Sequence, residues 1–318
     1  MRTKQAYISD CLSFFRESIQ TRYKFEPYTN PNAPAVFYGM YPPKRHRNGR
    51  RRMDVSMLEN HKSLAIVVWC GSDALAARTA DTRRHYQRIR NAPNMVHVAL
   101  SKSVMEDLTK IGIPCKHVPL CSISTAGYAP VPLGDRVYVY TSFKVPKVYG
   151  WHLVEKVRAL LPDIKFEVHT ALPPNYIPRS QLKKVYAKCF AGLRLTAHDG
   201  LSNTVVELGL MGRRCIWNGW APNAIPWKTV QDAAASIRQE QSRMGEYHQE
   251  VADEMREFLK VGPHWLHPGF WGLTVRMHRG MSTLERRVSV SKSQHSKTPS
   301  YRQRKLEKKN REKLKRAK

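Results

Sequence analysis

The chain has 318 residues, and 54 Lys and Arg against 25 Asp and Glu give a formal net charge of +29. No run of about 18 apolar residues occurs, which excludes a transmembrane helix, and the start MRTKQAYISDCLSFFRES lacks the apolar stretch and cleavage site of a secretory signal. The length accommodates two α/β domains of about 100–150 residues, each with a sizeable core. Cys11, Cys70, Cys115, Cys121, Cys189 and Cys215 form no CxxC pair and fit reduced core thiols in a cytoplasm. The charge implies an anionic partner or surface. From Arg286 onward 14 basic residues stand against 2 acids, so a positive excess also remains on the body, with clusters at Lys44–Arg52 and Arg83–Arg90. That is more than solubility requires.

In chain order, residues 1–30 read as an amphipathic helix, with Tyr7, Leu12, Phe15 and Ile19 at helical spacing, and a polar connection. Ala35–Tyr41 is the first predicted strand, ending at Gly39, and a basic loop follows over Lys44–Arg52. Leu64–Trp69 is a continuous apolar run, hence a buried parallel strand, terminated by Gly71-Ser72-Asp73. A helix opens at Asp73, Met95–Leu100 is a further strand, Ser101 caps a helix over Lys102–Ile111, and Lys116–Leu120 completes the set. Cys121–Gly134, with two prolines, reads as a linker. A second series then runs through strand Arg136–Thr141, helix Trp151–Leu161, strand Lys165–His169, helix Ser180–Cys189 and strand Ala191–Thr196. Residues 226–260 read as helical, and His267–Gly280 as a segment packing back across the domains.

The expected architecture is therefore two Rossmann-like, doubly wound parallel-sheet domains facing a cleft. The first covers 1–125 and the second 135–260, followed by the returning segment 261–285 and a basic, disordered tail 286–318. Ligands of such sheets bind at the carboxyl ends of the strands, which gathers Gly39, Gly71–Asp73, Thr141–Lys147 and His198–Thr204 around one crevice.

The most informative stretch is Leu193 to Gly219, LRLTAHDGLSNTVVELGLMGRRCIWNG. A strand runs through the polar turn His198-Asp199-Gly200 into a helix over Thr204–Met211, with Ser202, Asn203 or Thr204 as N-cap and Gly212 as the left-handed stop. Free N–H groups and the positive dipole end at such a helix start stabilise a phosphate. Asp199 and Glu207 flank that start, and both face one ligand lying across it. Glu207 sits in an otherwise apolar helix, where burial without a partner is unfavourable and a ribose diol satisfies it. Arg194 interrupts an apolar strand, which calls for a ligand or a paired carboxylate.

Asp199, seven residues, Glu207 and then Gly212-Arg213-Arg214-Cys215-Ile216 resemble the donor site of retaining glycosyltransferases of the two-Rossmann GT-B architecture, specifically the family 4-type enzymes. Gly200 matches the glycine after the first acid; Asp199 departs from the glutamate found in many members. The resemblance implies a nucleotide-sugar co-substrate, a UDP-sugar first, with Asp199 and Glu207 as the catalytic pair. Arg194, Lys147, His198, Gly200, Ser202, Asn203 and Thr204 then bind the donor, with Lys144 as the alternative to Lys147. Gly71-Ser72-Asp73 resembles a turn of the acceptor-side domain; a plain helix-capping turn is the other reading. No metal or further cofactor is implied, because helix termini and basic side chains replace a cation in this architecture.

Arg45, Arg47, Arg50, Arg51 and Arg52 lie on the acceptor side with Gly39, and sequence-independent phosphate contacts fit them. A coherent acceptor is a hydroxymethylated base in viral DNA. The alternatives are a cell-envelope transferase held on an anionic membrane and a nucleic-acid-binding protein with a decayed glycosyltransferase fold. His97 and His169 read as core histidines, and His264 and His267 as part of a structural turn rather than a metal site.

Overall fold

The computed structural model describes residues 3–43, 53–79, 86–90, 92–170, 173–278 and 281–286, with side chains described through residue 272. The first sheet contains β1 (Gln5–Ile8), β2 (Glu26–Pro27), β3 (Ala35–Tyr38), β4 (Ala65–Trp69), β5 (Met95–Ala99) and β6 (Cys115–His117). All its pairings are parallel, in the order β2-β1-β3-β4-β5-β6. The second contains β7 (Arg136–Thr141), β8 (Lys165–Thr170), β9 (Cys189–Leu193), β10 (Arg214–Ile216) and β11 (Ala224–Ile225). It too is parallel throughout, ordered β11-β10-β9-β7-β8. The helices that follow the strands of the first sheet include α1 (Arg16–Tyr23), α2 (Asp54–Glu59), α3 (Ser72–Ala77) and α4 (Lys102–Lys110). Those of the second include α5 (Trp151–Leu160), α6 (Arg179–Ala187), α7 (Asn203–Leu210), α8 (Val230–Gln241) and α9 (Gln249–Phe258). Both sheets belong to one unit, residues 1–285. Two parallel sheets, each with helices packed on both faces, are the expected α/β architecture.

Apolar layers explain why each sheet is buried on both sides. Val36, Ile66, Val68 and Val98 form the core on one face of the first sheet, and Phe37, Val67, Trp69 and Leu108 the core on the other. Around the second sheet, Tyr138, Val205, Leu208 and Trp217 fill one face and Val137, Val139, Phe190 and Leu193 the other. Each fully buried side chain of this size contributes about 1.5–3 kcal/mol. The chain returns to the first sheet through Trp265 and Leu266, both fully buried in its core, with Trp265 edge-on to Tyr23 and Phe25. A two-stranded sheet of β12 (Leu273–His278) and β13 (Met281–Arg286) follows.

Several elements differ from the sequence reading. Residues 1–30 are not one helix: β1 is a strand in the first sheet, a 3-10 turn spans Asp10–Phe15, and only α1 is α-helical. The helical spacing of Tyr7, Leu12, Phe15 and Ile19 collected residues from three elements. Within β1 the period is two, with Ala6 and Ile8 in one core and Tyr7 packed on Phe37 at the opposite face. Residues 226–260 hold two helices, α8 and α9, separated near Gly245, whose φ is 84°. The first opens on a capping box, Thr229 with Asp232. β9 ends at Leu193, so Arg194 does not interrupt a strand but stands just past its end. The basic tail after Arg286 lies outside the described residues.

Candidate functional site

In the second sheet the chain passes from β7 to β8 on one side and then to β9 on the other. The carboxyl ends of β7 and β9 therefore flank the switch point, the place at which ligands of open parallel sheets bind. Gly150, at φ 65°, turns the loop after β7 onto β9; a Cβ there would lie 2.0 Å from the Leu195 carbonyl oxygen. That approach places the Arg194 guanidinium 5.7 Å from the centre of the Tyr149 ring. Arg194 donates from Nε to Asp199 Oδ2, and Thr196 Oγ1 lies 3.5 Å from the same oxygen. Burial works against the Arg194 charge, but Asp199 outweighs it and holds the guanidinium above its ordinary pKa. Among the described residues the two Arg194 Nη groups have no hydrogen-bond partner, and Thr141 Oγ1, at the end of β7, is buried without one. A cation with free donors and an unpaired buried hydroxyl at a switch point together suit an anionic ligand carrying hydroxyls.

Helix α7 starts beside this pair, with Ser202 as N-cap residue. No side chain caps it, so the first N–H groups, around Ser202, Asn203 and Thr204, remain available to a phosphate. Gly212 ends the helix at φ 86°. Lys144 and Lys147 are exposed on the loop after β7; Tyr149, not a lysine, makes that loop's contact with Arg194.

The turn after β9 also meets the first sheet. His198 Nε2 lies 2.7 Å from Asp107 Oδ2, an ion-pair distance whose angles are poor for a hydrogen bond. The Asp199 carbonyl accepts from Ser101 Oγ at 3.0 Å and Ser103 Oγ at 2.7 Å. A Cβ on Gly200 would lie 2.0 Å from the Cys70 carbonyl oxygen, and one on Gly71 would lie 3.1 Å from Gly200 N. Gly71 itself adopts φ 140°, a region favourable only to glycine.

Glu207 is placed differently from its sequence reading. It is 2% exposed and already satisfied. Oε1 accepts from Tyr128 Oη at 2.9 Å and Arg179 Nη2 at 2.7 Å, and Oε2 from Tyr186 Oη at 2.7 Å. The expectation that a ribose diol satisfies this carboxylate is therefore corrected: three protein donors do. Burial first, then the Glu207 charge, raises the Tyr186 and Tyr128 hydroxyls above the ordinary tyrosine range, so both remain donors. Arg179 is 46% exposed and is the solvent-accessible member of the set. Glu207→Ala is expected to strand all three donors, lowering unfolding stability by about 2–4 kcal/mol. Glu207→Gln, which keeps the volume and one acceptor oxygen, should lose visibly less; urea midpoints for the two variants check this.

On the first sheet, Asp73 is fully buried and accepts from the backbone N–H groups of Met40, Cys70, Gly71 and Ala74. Burial raises its carboxyl above the ordinary range, and those donors oppose the shift. It ties the ends of β3 and β4 together, which makes it a loop clamp, while Ser72 is exposed and hydrogen-bonded to Tyr41 Oη at 2.9 Å. Gly39, at φ 77°, faces Leu12, where a Cβ would meet Cδ1 at 2.7 Å. Arg45, Arg47, Arg50, Arg51 and Arg52 lie outside the described residues. His97 is a core residue bonded to Trp69 Nε1 at 3.2 Å, and His264 lies in a 3-10 turn, Pro263–Leu266.

No protein-family model and no curated protein matches the chain. Among solved structures, TarM from S. aureus superposes with a TM-score of 0.50 at 11% identity, over 76% of this chain and 54% of TarM. Sucrose-phosphate synthase from Thermosynechococcus elongatus also gives 0.50, at 9% identity over 81% of this chain and 94% of that one. The fold is that of the GT-B glycosyltransferases. The chain spans about half the length of TarM. In this GT-B fold the Arg194–Asp199 pair belongs to the second sheet, and α4, which carries Ser103 and Asp107, to the first.

Sequence reasoning missed Tyr149, Tyr128, Arg179, Tyr186, Ser101 as a donor, Ser103 and Asp107. Asp107 left a signal, a carboxylate on the apolar face of α4 between Val104 and Leu108. The others carry no local mark, because their partners lie far along the chain.

Proposed function

We propose that the protein is a glycosyltransferase that moves a sugar from a nucleotide-sugar donor to an acceptor hydroxyl, with retention at the anomeric carbon. The observation that carries this reading is the Arg194–Asp199 pair at the switch point beside the uncapped start of α7. The bond to be broken joins the anomeric carbon to a diphosphate. Charge builds on the leaving phosphate as the sugar becomes cationic, and donors fixed in advance lower that barrier. The Arg194 Nη groups and the first N–H groups of α7 serve the phosphate. The Asp199 carboxylate, held in place through one oxygen, serves the sugar. No protein group is assigned as general base. Release of nucleoside diphosphate from a panel of nucleotide sugars, UDP-sugars first, tests the reading; release from none of them overturns it.

The acceptor in this reading is a polyanion, and a hydroxymethylated base in DNA is the class to test first. The net charge of +29 supports it. Stimulation of nucleotide release by hydroxymethylated DNA, with sugar recovered on the digested nucleosides, is the expected result. Sugar recovered on lipid or saccharide instead would assign the charge to an anionic membrane. Among the described residues no helix is long and apolar enough to cross one. Removing residues 286–318, which carry 14 basic residues against 2 acids, is expected to weaken DNA binding and flatten its salt dependence. The slope of log K against log salt should fall by about 0.9 for each phosphate that the shortened chain leaves unneutralised.

A further inference from the structure

Three consecutive residues of the donor-side turn are held from the other sheet, each by a different group. His198 is met through its ring by Asp107, Asp199 through its carbonyl by Ser101 and Ser103, and Gly200 through its Cα by the Cys70 carbonyl. We propose that Ser101, Ser103 and Asp107 are positioning residues for the Asp199 carboxylate. The donor site then reaches its working geometry only while α4 is docked against the turn. This inference rests on the donor-site reading of Asp199 given above.

The geometry supports a grip rather than an incidental contact. Ser101 is 1% exposed and its Oγ also caps α4 by accepting from Val104 N at 3.3 Å. Ser101 Oγ and Ser103 Oγ are 3.0 Å apart and converge on one carbonyl, whose two lone pairs take both hydroxyl protons. Asp107 is itself anchored, with Arg78 Nη1 at 2.5 Å and Lys110 Nζ at 3.6 Å on its other oxygen. Its remaining oxygen lies 2.7 Å from His198 Nε2. Asp199 is then fixed at both ends, its carbonyl by the first sheet and its carboxylate by Arg194 of the second. Neither end alone sets the carboxylate: the side chain still turns about its own Cα if the peptide plane is free.

Ser103→Ala is the cleaner variant, since Ser103 does not cap α4, and Ser101→Ala/Ser103→Ala removes the grip entirely. Hydrogen exchange of the backbone amides of residues 198–204 reads the grip without requiring activity. It is expected to speed up by about tenfold or more in the double variant, as a locally opened segment does. With a donor that the unaltered protein turns over, kcat is expected to fall about tenfold in Ser103→Ala, the scale set by a small misplacement of a reacting group. KM for the donor should stay nearly unchanged, and Ser103→Thr should recover much of the loss. A merely structural role would lower Tm and the folded fraction without this split between kcat and KM. Unchanged exchange at 198–204 overturns the grip. Faster exchange with unchanged kcat overturns the positioning role. If the unaltered protein releases nucleotide from no donor, the donor-site reading fails, and the positioning role with it, while the exchange result still decides whether α4 holds the turn.

Discussion

Asp199→Asn is expected to lower nucleotide release by about 10²–10³-fold, the range measured when one fixed electrostatic partner of a reaction is removed. The carboxylate is 18% exposed and the Arg194 side chain 12%, so the pair meets little solvent screening. Asparagine keeps the shape and can still accept from Arg194, but it leaves that guanidinium without a counter-charge. The unpaired cation then favours a bound phosphate while the sugar loses its anionic partner. Donor binding should therefore weaken far less than turnover. Arg194→Gln is expected to damage both, because it removes the Nη donors and releases the Asp199 side chain. The two residues act as one unit, so the double variant should be little worse than the poorer single one. Single-turnover nucleotide release at saturating donor, with Tm recorded alongside, separates these effects. Turnover of Asp199→Asn within threefold of the unaltered protein would remove Asp199 from the chemistry.

Arg213→Met is expected to destabilise the protein by about 3–5 kcal/mol, the cost of breaking a fully satisfied buried charge site. Arg213 is fully buried and is held by backbone carbonyls. Nε donates to Tyr186 O and Cys189 O, Nη1 to Val131 O and Met211 O, and Nη2 to Pro132 O and Ala187 O. Tyr186 and Ala187 belong to the last turn of α6, and Met211 stands at the end of α7. The negative ends of two helices therefore neutralise the charge. Burial still lowers its pKa, to about 10, which leaves it protonated at neutral pH. Methionine fills the volume but leaves six carbonyls short of a donor. Lysine has three donors where five are used, and is expected to recover only part of the loss. A drop in Tm of roughly 5–10 °C for Arg213→Met checks the size; a change within 1–2 °C would show that water takes over the carbonyls.

Much of the architecture was legible because parallel strands buried on both faces must be continuously apolar. Ala65–Trp69 announces itself in this way. The helix-cap signal at Ser101 and the glycine stop at Gly212 fixed element ends through local backbone chemistry. β1 was not legible, since four residues with one β-branched side chain carry too little pattern to outweigh a coincidental helical spacing.

The sequence by itself determined that two parallel-sheet units are present, and that Arg194, Asp199 and the start of α7 converge near one strand end. Those features rest on periodicity, caps and spacing within about 20 residues. Only the tertiary structure decided which groups satisfy which charges. Glu207 is paired by Tyr128, 79 positions away, and the Asp199 carbonyl by Ser101, 98 positions away. The burial cost of a charge is set by whatever the fold brings within 3 Å of it, and no local pattern encodes that neighbour.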